Sequence, residues 1–269
     1  MIDEKEQIVC KNMSGYINSE IDEKLRDIIT LNPQVLFEKS VQDFKREKRS
    51  RVSLISFSGK PYIVKHYFVK NFLFRIRRFI LPSLALNIRD RVKIMEQHHI
   101  STPVLLAAVD IGKRFSYKGT TCLYEYVKPD KDKDQLREDF QEPEKRDIII
   151  SAVASLLGRM HHSGIYHGDA KISNFLWIER SGEADIHVID LDDCRFMGKV
   201  TANKRLADLA NLVFSFAWWN STPDLPADCF GVYLQHDASW CSDEKAFLDE
   251  LKKKVARKLE HRRSRQKKK

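Results

Sequence analysis

The sequence predicts an α+β chain in two parts, a smaller, mostly β part followed by a larger, mostly α part. Three observations predict it. Strand-length apolar runs bounded by turn signals crowd the first half, at residues 52–57, 62–67, 104–111 and 120–127. Helical periodicity dominates from residue 146, where Ile148, Ile149, Val153, Leu156, Leu157 and Met160 recur on one face. Beyond that helix, a polar loop at 166–174 (YHGDAKISN) precedes an apolar run that stops abruptly in acid, IHVIDLDD at 186–193.

Composition sets the frame. A chain of 269 residues can bury a sizeable core and form one bilobal unit. A hydrophobic content of 42% argues against disorder. The net charge of +9 favours acidic partners such as nucleotide phosphates, anionic lipid headgroups or nucleic acid. The cysteines at 10, 122, 194, 229 and 241 are scattered and form no C-x-x-C pair, which reads as a reducing compartment without a zinc site. The N-terminal MIDEKEQIVC has no apolar core, so no signal peptide is expected. No run of about 20 apolar residues is present, and no internal repeat.

In chain order, Ile21, Leu25, Ile28 and Ile29 predict a peripheral helix within 1–36, ending near Asn32-Pro33. Residues 37–67 read as a hairpin turning at Ser58-Gly59-Lys60-Pro61. Lys65 lies inside its second strand and needs either a counter-charge or an edge facing water, because unpaired burial is costly. Residues 68–88 interleave Phe72, Phe74 and Phe79 with Lys70, Arg75, Arg77 and Arg78. That pattern suits an interfacial segment on an anionic membrane, or an amphipathic segment with a solvated basic face. A helix over 89–103 ends before Pro103, and two strands follow around the turn at 112–119. The charged stretch 128–145 reads as an exposed connection or short helix. The helix over 146–163 stops at His162-Ser163-Gly164, with His161 and His162 as helix-end residues. Another helix opens at Lys204, carrying Phe214, Phe216, Trp218 and Trp219 as core candidates. The tail 252–269 is mostly Lys and Arg and is expected to fray; it could dock on anionic lipid at ~1 kcal/mol per basic residue, or equally be a solvated end or a nucleic-acid arm.

The loop carries the chemistry. His167, Asp169, Lys171 and Asn174 fall together, and a turn at 179–183 separates two short strands. Such a hairpin would bring Asn174 and Asp190 to one end, a carboxamide and a carboxylate facing a common point. Magnesium carrying a nucleotide suits this pair, since it keeps several waters and takes only one or two protein oxygens. Asp169 would stand near enough to accept a proton from an attacking hydroxyl.

H-x-D-x-K-x-x-N followed by a strand and an Asp resembles the catalytic loop and metal-binding Asp of the protein-kinase-like fold. The wording HGDAKISNFLW and then VIDLDD resembles the lipopolysaccharide kinase family, which phosphorylates Kdo or heptose of the bacterial inner core. The resemblance spans roughly residues 45–215. It implies a small β-rich N-lobe at 1–127 with a peripheral segment at 1–36, a C-lobe at 128–251 holding the catalytic loop, and a basic tail at 252–269. It further implies that Lys65 holds the nucleotide α/β-phosphates, with Asp90, or alternatively Glu96, as its acid partner. Backbone groups at Glu125 and Val127 would read adenine. Asn174 and Asp190 would hold Mg²⁺, Lys171 would face the γ-phosphate, and Asp169 would be the base. His167 would be structural, and Asp192 and Asp193 solvated or bracing. Asp208, in a DLANL segment, would anchor the loop backbone or serve as a helix N-terminal acid worth a few tenths of a kcal/mol. No G-x-G-x-x-G is present; KREKRSR at 45–51 occupies its place.

The resemblance thus implies ATP and Mg²⁺ as cofactors and a lipopolysaccharide core glycolipid as acceptor. An anionic membrane surface on the inner face of the cytoplasmic membrane is the expected setting, and nucleic acid is not an expected partner. Two other readings share the loop: a small atypical protein kinase of the RIO type, and a nucleotide-binding pseudokinase-like module. Nothing in the sequence bears on oligomeric state.

Overall fold

The computed structural model describes residues 7–10, 13–69, 82–112, 116–180 and 182–266. It is a mixed α/β structure that divides into two compact units: Met1–Lys93 with Pro103–Val127, and Ile94–Thr102 with Lys128–Lys269.

The first unit is built on one antiparallel sheet. Its strands are β1 (Gln7–Cys10), β2 (Met13–Ile17), β3 (Ser40–Arg46), β4 (Ser50–Phe57), β5 (Lys60–Phe68), β6 (Leu105–Ile111) and β7 (Gly119–Glu125). Their order in the sheet is β1-β2-β6-β7-β5-β4-β3. The hairpin predicted over 37–67 gains a third strand, β3. Its residues are almost all exposed, because it is the outermost strand and has no inner face to bury.

Helix α1 (Glu23–Leu31) starts where Asp22 accepts a hydrogen bond from the Leu25 amide at 3.1 Å. Together with the turn Pro33–Lys39 it sets Leu25, Ile29 and Leu36 against Ile55, Phe57, Val64 and Leu123. Each such buried aliphatic contributes roughly 1.5–3 kcal/mol. Val64 and His66 on β5 are buried, and strand alternation places Lys65 on the opposite face.

Helix α2 (Leu84–Gln97) begins five residues earlier than the periodicity suggested. Ser83 Oγ accepts from the Leu86 amide at 3.1 Å, and the buried Asp110 accepts from the Ala85 amide at 3.2 Å, so the first turn is capped. His99, in the left-handed region at φ 54°, follows its end.

The second unit is mostly helical. It contains α3 (Lys133–Asp139), α4 (Pro143–His162), α5 (Ala202–Trp219), α6 (Leu225–Leu234) and α7 (Glu244–Gln266). Its short strands are β8 (Ile165–Tyr166) paired with β11 (Arg195–Phe196), and β9 (Phe175–Arg180) paired with β10 (Glu183–Val188). Helix α3 opens with a capping box between Asp132 and Gln135, which gives the charged connection its short helix. Helix α4 buries Ile149, Val153, Leu156, Leu157 and Met160 in one core with Leu209, Leu212 and Phe216 of α5 and Phe230 and Tyr233 of α6.

The basic tail departs from expectation. It does not fray at 252 but continues α7 to Gln266, because Leu251 and Val255, one turn apart, are buried in the core. The basic and aromatic stretch at 70–81 lies outside the described residues. Among the described residues, no helix is long and apolar enough to cross a membrane.

Candidate active site

The catalytic-loop candidate begins where α4 stops. The Ser163 amide bonds the Arg159 carbonyl at 3.0 Å, and Gly164 at φ 77° turns the chain into β8. A side chain at Gly164 would meet the Gly198 carbonyl oxygen at 2.6 Å, so the turn requires glycine. The loop then passes from β8 to a single helical turn, Ile172–Asn174.

Asp208, fully buried on α5, holds the loop by its backbone. Its Oδ2 accepts from the His167 amide at 2.9 Å, and its Oδ1 accepts from the Gly168 amide at 3.0 Å. Of the two roles open to Asp208, the anchoring one is the geometry observed. Gly168 sits at φ 86°, and a Cβ there would lie 2.8 Å from the Asp193 carbonyl oxygen. Behind the anchor runs a buried network invisible to sequence reasoning. His161 contacts Asp208 Oδ2 through Nε2 at 3.2 Å and the Tyr233 hydroxyl through Nδ1 at 2.7 Å. Arg205 donates to that hydroxyl at 3.0 Å and to the His161 carbonyl at 3.2 Å. Burial pushes the His161 imidazole down and the Tyr233 phenol up, so both are neutral near pH 7. His161 lies in the last turn of α4, as expected, and is at the same time a core residue.

His167 is also fully buried. Its Nδ1 accepts from the Asp169 amide at 3.3 Å, which fixes the neutral tautomer with the proton on Nε2. Burial holds its pKa below the usual range. Its placement is that of a support for the Asp169 backbone.

Asp169, Lys171 and Asn174 come together. Lys171 Nζ lies 2.6 Å from Asp169 Oδ2, and both side chains are partly exposed. Asn174, buried, donates from Nδ2 to the Asp169 carbonyl at 2.8 Å and to Asp169 Oδ2 at 3.3 Å. That engagement turns its carbonyl oxygen Oδ1 to the other side of the amide. The β9/β10 hairpin pairs Phe175 with Val188, and the Ile189 amide donates to the Asn174 carbonyl at 2.9 Å. Asp190 follows at once, in the left-handed region at φ 60°, ψ 57°. A non-glycine residue held there costs of order 1 kcal/mol, and such strain collects at functional sites. Asp192 and Asp193 are exposed.

The hairpin thus brings the backbones of Asn174 and Asp190, a carboxamide and a carboxylate, to one end. Among the described residues there is no group of three or more His, Cys, Asp or Glu that could hold a metal ion.

In the first unit, Lys65 sits opposite Val52 and Cys122 in the sheet, with Nζ 4.9 Å from the Tyr67 ring centre. Asp90, half-exposed, accepts from Arg89 Nε at 2.9 Å and Nη2 at 2.6 Å. Glu96 is exposed. The Glu125 amide donates to the Val104 carbonyl at 3.0 Å, so that donor is already used. Val127 ends the unit. A cavity of about 490 Å³ is lined by Tyr62, Glu125, Tyr126, Leu106 and Asp22, among others; Tyr62 faces it from the side of β5 opposite Lys65.

Curated protein sequences give no match. Among solved structures the chain is similar to WaaP in complex with acyl carrier protein, at 19% sequence identity and a TM-score of 0.67, over 90% of this chain and 97% of that one. At that identity the likeness speaks for the fold. The model of the lipopolysaccharide kinase (Kdo/WaaP) family matches residues 43–233, which covers the loop, the hairpin and the Asp208 anchor. The chain belongs to the lipopolysaccharide kinase (Kdo/WaaP) family, a family of phosphotransferases acting on sugar hydroxyls.

Proposed function

We propose that this chain transfers the γ-phosphoryl group of ATP, with Mg²⁺, to a hydroxyl of Kdo or heptose in the lipopolysaccharide inner core. The single observation that carries the reading is the cluster of Asp169, Lys171 and Asn174, with the Asn174 carbonyl tied to the residue before Asp190. The two compact units are read as the small and large lobes of a kinase.

The roles follow from chemistry. Lys65 would hold the α/β-phosphates, with Asp90 as its acid partner once exchanged from Arg89. The backbone at Glu125 and Val127 would meet adenine, with Glu125 offering its carbonyl. Asn174 Oδ1 and Asp190 would hold Mg²⁺, whose charge offsets that of the phosphate oxygens when bound. Asp169 would orient the acceptor hydroxyl and take its proton as the oxygen–phosphorus bond forms. Lys171, already beside Asp169, would stabilise charge on the transferred group and keep Asp169 in its rotamer. Little covalent work falls to the protein, so positioning and electrostatics supply most of the rate. A net charge of +9 supports work at an anionic membrane surface, on its cytoplasmic side.

The test is transfer from labelled ATP to purified inner-core glycolipids that carry Kdo alone or Kdo with heptose, followed by mass mapping of the product. Label on one sugar fixes the acceptor. Label on the protein alone would favour the protein-kinase reading, and nucleotide binding without transfer the pseudokinase reading.

A further inference from the structure

We infer that Lys254 and Lys258 on α7 form the subsite for an anionic group of the acceptor, a sugar carboxylate or phosphate, against the helix that carries the loop anchor Asp208. The inference rests on the proposed sugar-kinase reading and adds a recognition element that the loop motif does not contain. Helix α7 buries Leu251 and Val255, and Lys254 and Lys258 flank that face, one turn apart and only half-exposed. Lys258 Nζ donates to Asn211 Oδ1 on α5 at 2.8 Å and stands 6.0 Å from the Phe214 ring centre. One turn on, Arg262 lies over Trp218 at 5.4 Å. Phe214 and Trp218 are only half-buried, unlike Phe216 between them, so they wall this ridge rather than the core.

The physics favours an anion there. Lys258 is partly desolvated, and its hydrogen bond to Asn211 goes to a neutral amide, which supplies no counter-charge. Burial and the like charge of Lys254 push the Lys258 ammonium down, and the Asp169 carboxylate pushes it up. Two neighbouring cations at i and i+4 repel, and a bound anion relieves that repulsion. Asn211, which Lys258 touches, lies one turn beyond Asp208 on α5, and Asp208 holds the loop that leads into Asp169, so an anion on this pair is bound on the helix that positions the loop. The chemistry is that of an ammonium pair on a carboxylate or phosphate, flanked by aromatic rings suited to the apolar face of a sugar.

The experiment measures transfer from labelled ATP by the full chain to intact inner-core glycolipid, to the same glycolipid after phosphatase treatment, and to the same glycolipid after carboxyl reduction. On the intact acceptor, Lys258→Gln is expected to raise the acceptor KM by about tenfold or more, with the ATP KM within about twofold of wild type. Lys258→Arg should restore most of the loss, and Lys254→Gln should raise the acceptor KM by about threefold on its own. The penalty should vanish on whichever treated acceptor lacks the recognised anion, which separates phosphate from carboxylate. An unchanged acceptor KM in both glutamine variants, a change in ATP KM instead, or a penalty undiminished on both treated acceptors would overturn the inference. Wild-type protein that labels none of the three acceptors would overturn the proposed function, and this subsite with it.

Discussion

Replacing Asp208 with alanine tests how the loop is held. The carboxylate is fully buried and accepts hydrogen bonds from the His167 amide at 2.9 Å and the Gly168 amide at 3.0 Å, with His161 Nε2 at 3.2 Å. Alanine would strand the buried His167 and His161 partners away from water and free the part-buried Gly168 amide. A buried donor left unsatisfied costs about 1–3 kcal/mol, and removing one partner of a buried charged network costs about 3–5 kcal/mol. Part of the loss is offset because a buried charge disappears, so we predict about 3–5 kcal/mol in all. For a chain of this size that lowers the melting temperature by roughly 10 °C. Asp208→Asn keeps one acceptor oxygen and should lose about half as much. The chain's tryptophans, at 177, 218, 219 and 240, all fall in the second unit, so denaturation followed by tryptophan fluorescence reports the unit that holds Asp208. Because the anchor positions the two residues before Asp169, turnover should fall by at least about tenfold even where the protein remains folded. An Asp208→Ala protein within about 1 kcal/mol of wild type, with unchanged turnover, would refute the anchoring role.

Three further perturbations follow from the geometry. Gly168→Ala places a Cβ at φ 86° and 2.8 Å from the Asp193 carbonyl oxygen; we predict a loss of about 2 kcal/mol or more, read by thermal melting, with lowered turnover. Lys65→Met should raise the ATP KM by about tenfold or more in the transfer assay and leave the melting temperature within a few degrees. His66 is buried, its Nδ1 is 2.8 Å from Thr121 Oγ1, and its pKa is lowered from 6.5 to about 4 by burial. The unfolded chain therefore binds a proton first, so His66 costs no stability above pH 6.5 and progressively more as pH falls toward about 4. His66→Phe should flatten that part of the urea-denaturation profile between pH 7 and 4.5; an unchanged slope would count against a buried neutral imidazole.

What was legible in the sequence was what depends on near neighbours. The hairpin after the loop could be read because two strands of six residues need only a turn between them, and the structure pairs Phe175 with Val188 as that reading required. Helix α4 announced itself by periodicity. Strand β3 did not, because SVQDFKR at a sheet edge buries no alternate residue and carries no period. The tail looked like a fraying basic segment since its charge outweighs its few apolar residues; Leu251 and Val255 are spaced to anchor it, but two positions among so many lysines and arginines make a faint signal. Contacts between residues far apart in the chain were the least visible. Arg205, Tyr233 and His161 form one buried network from three different helices, and nothing local marks them as partners. Lys258 likewise reads as one more tail lysine until α7 is packed beside Asn211 and Phe214.

Phosphate transfer from labelled ATP to purified inner-core glycolipid in the presence of Mg²⁺, wild type beside Asp169→Ala, bears most directly on whether this loop is the catalytic centre. The predicted result is label on the glycolipid with wild type and a fall of about 10²-fold or more with the variant, while nucleotide affinity stays within about twofold. Equal labelling by the two proteins would contradict the role of Asp169 and the mechanism built on it.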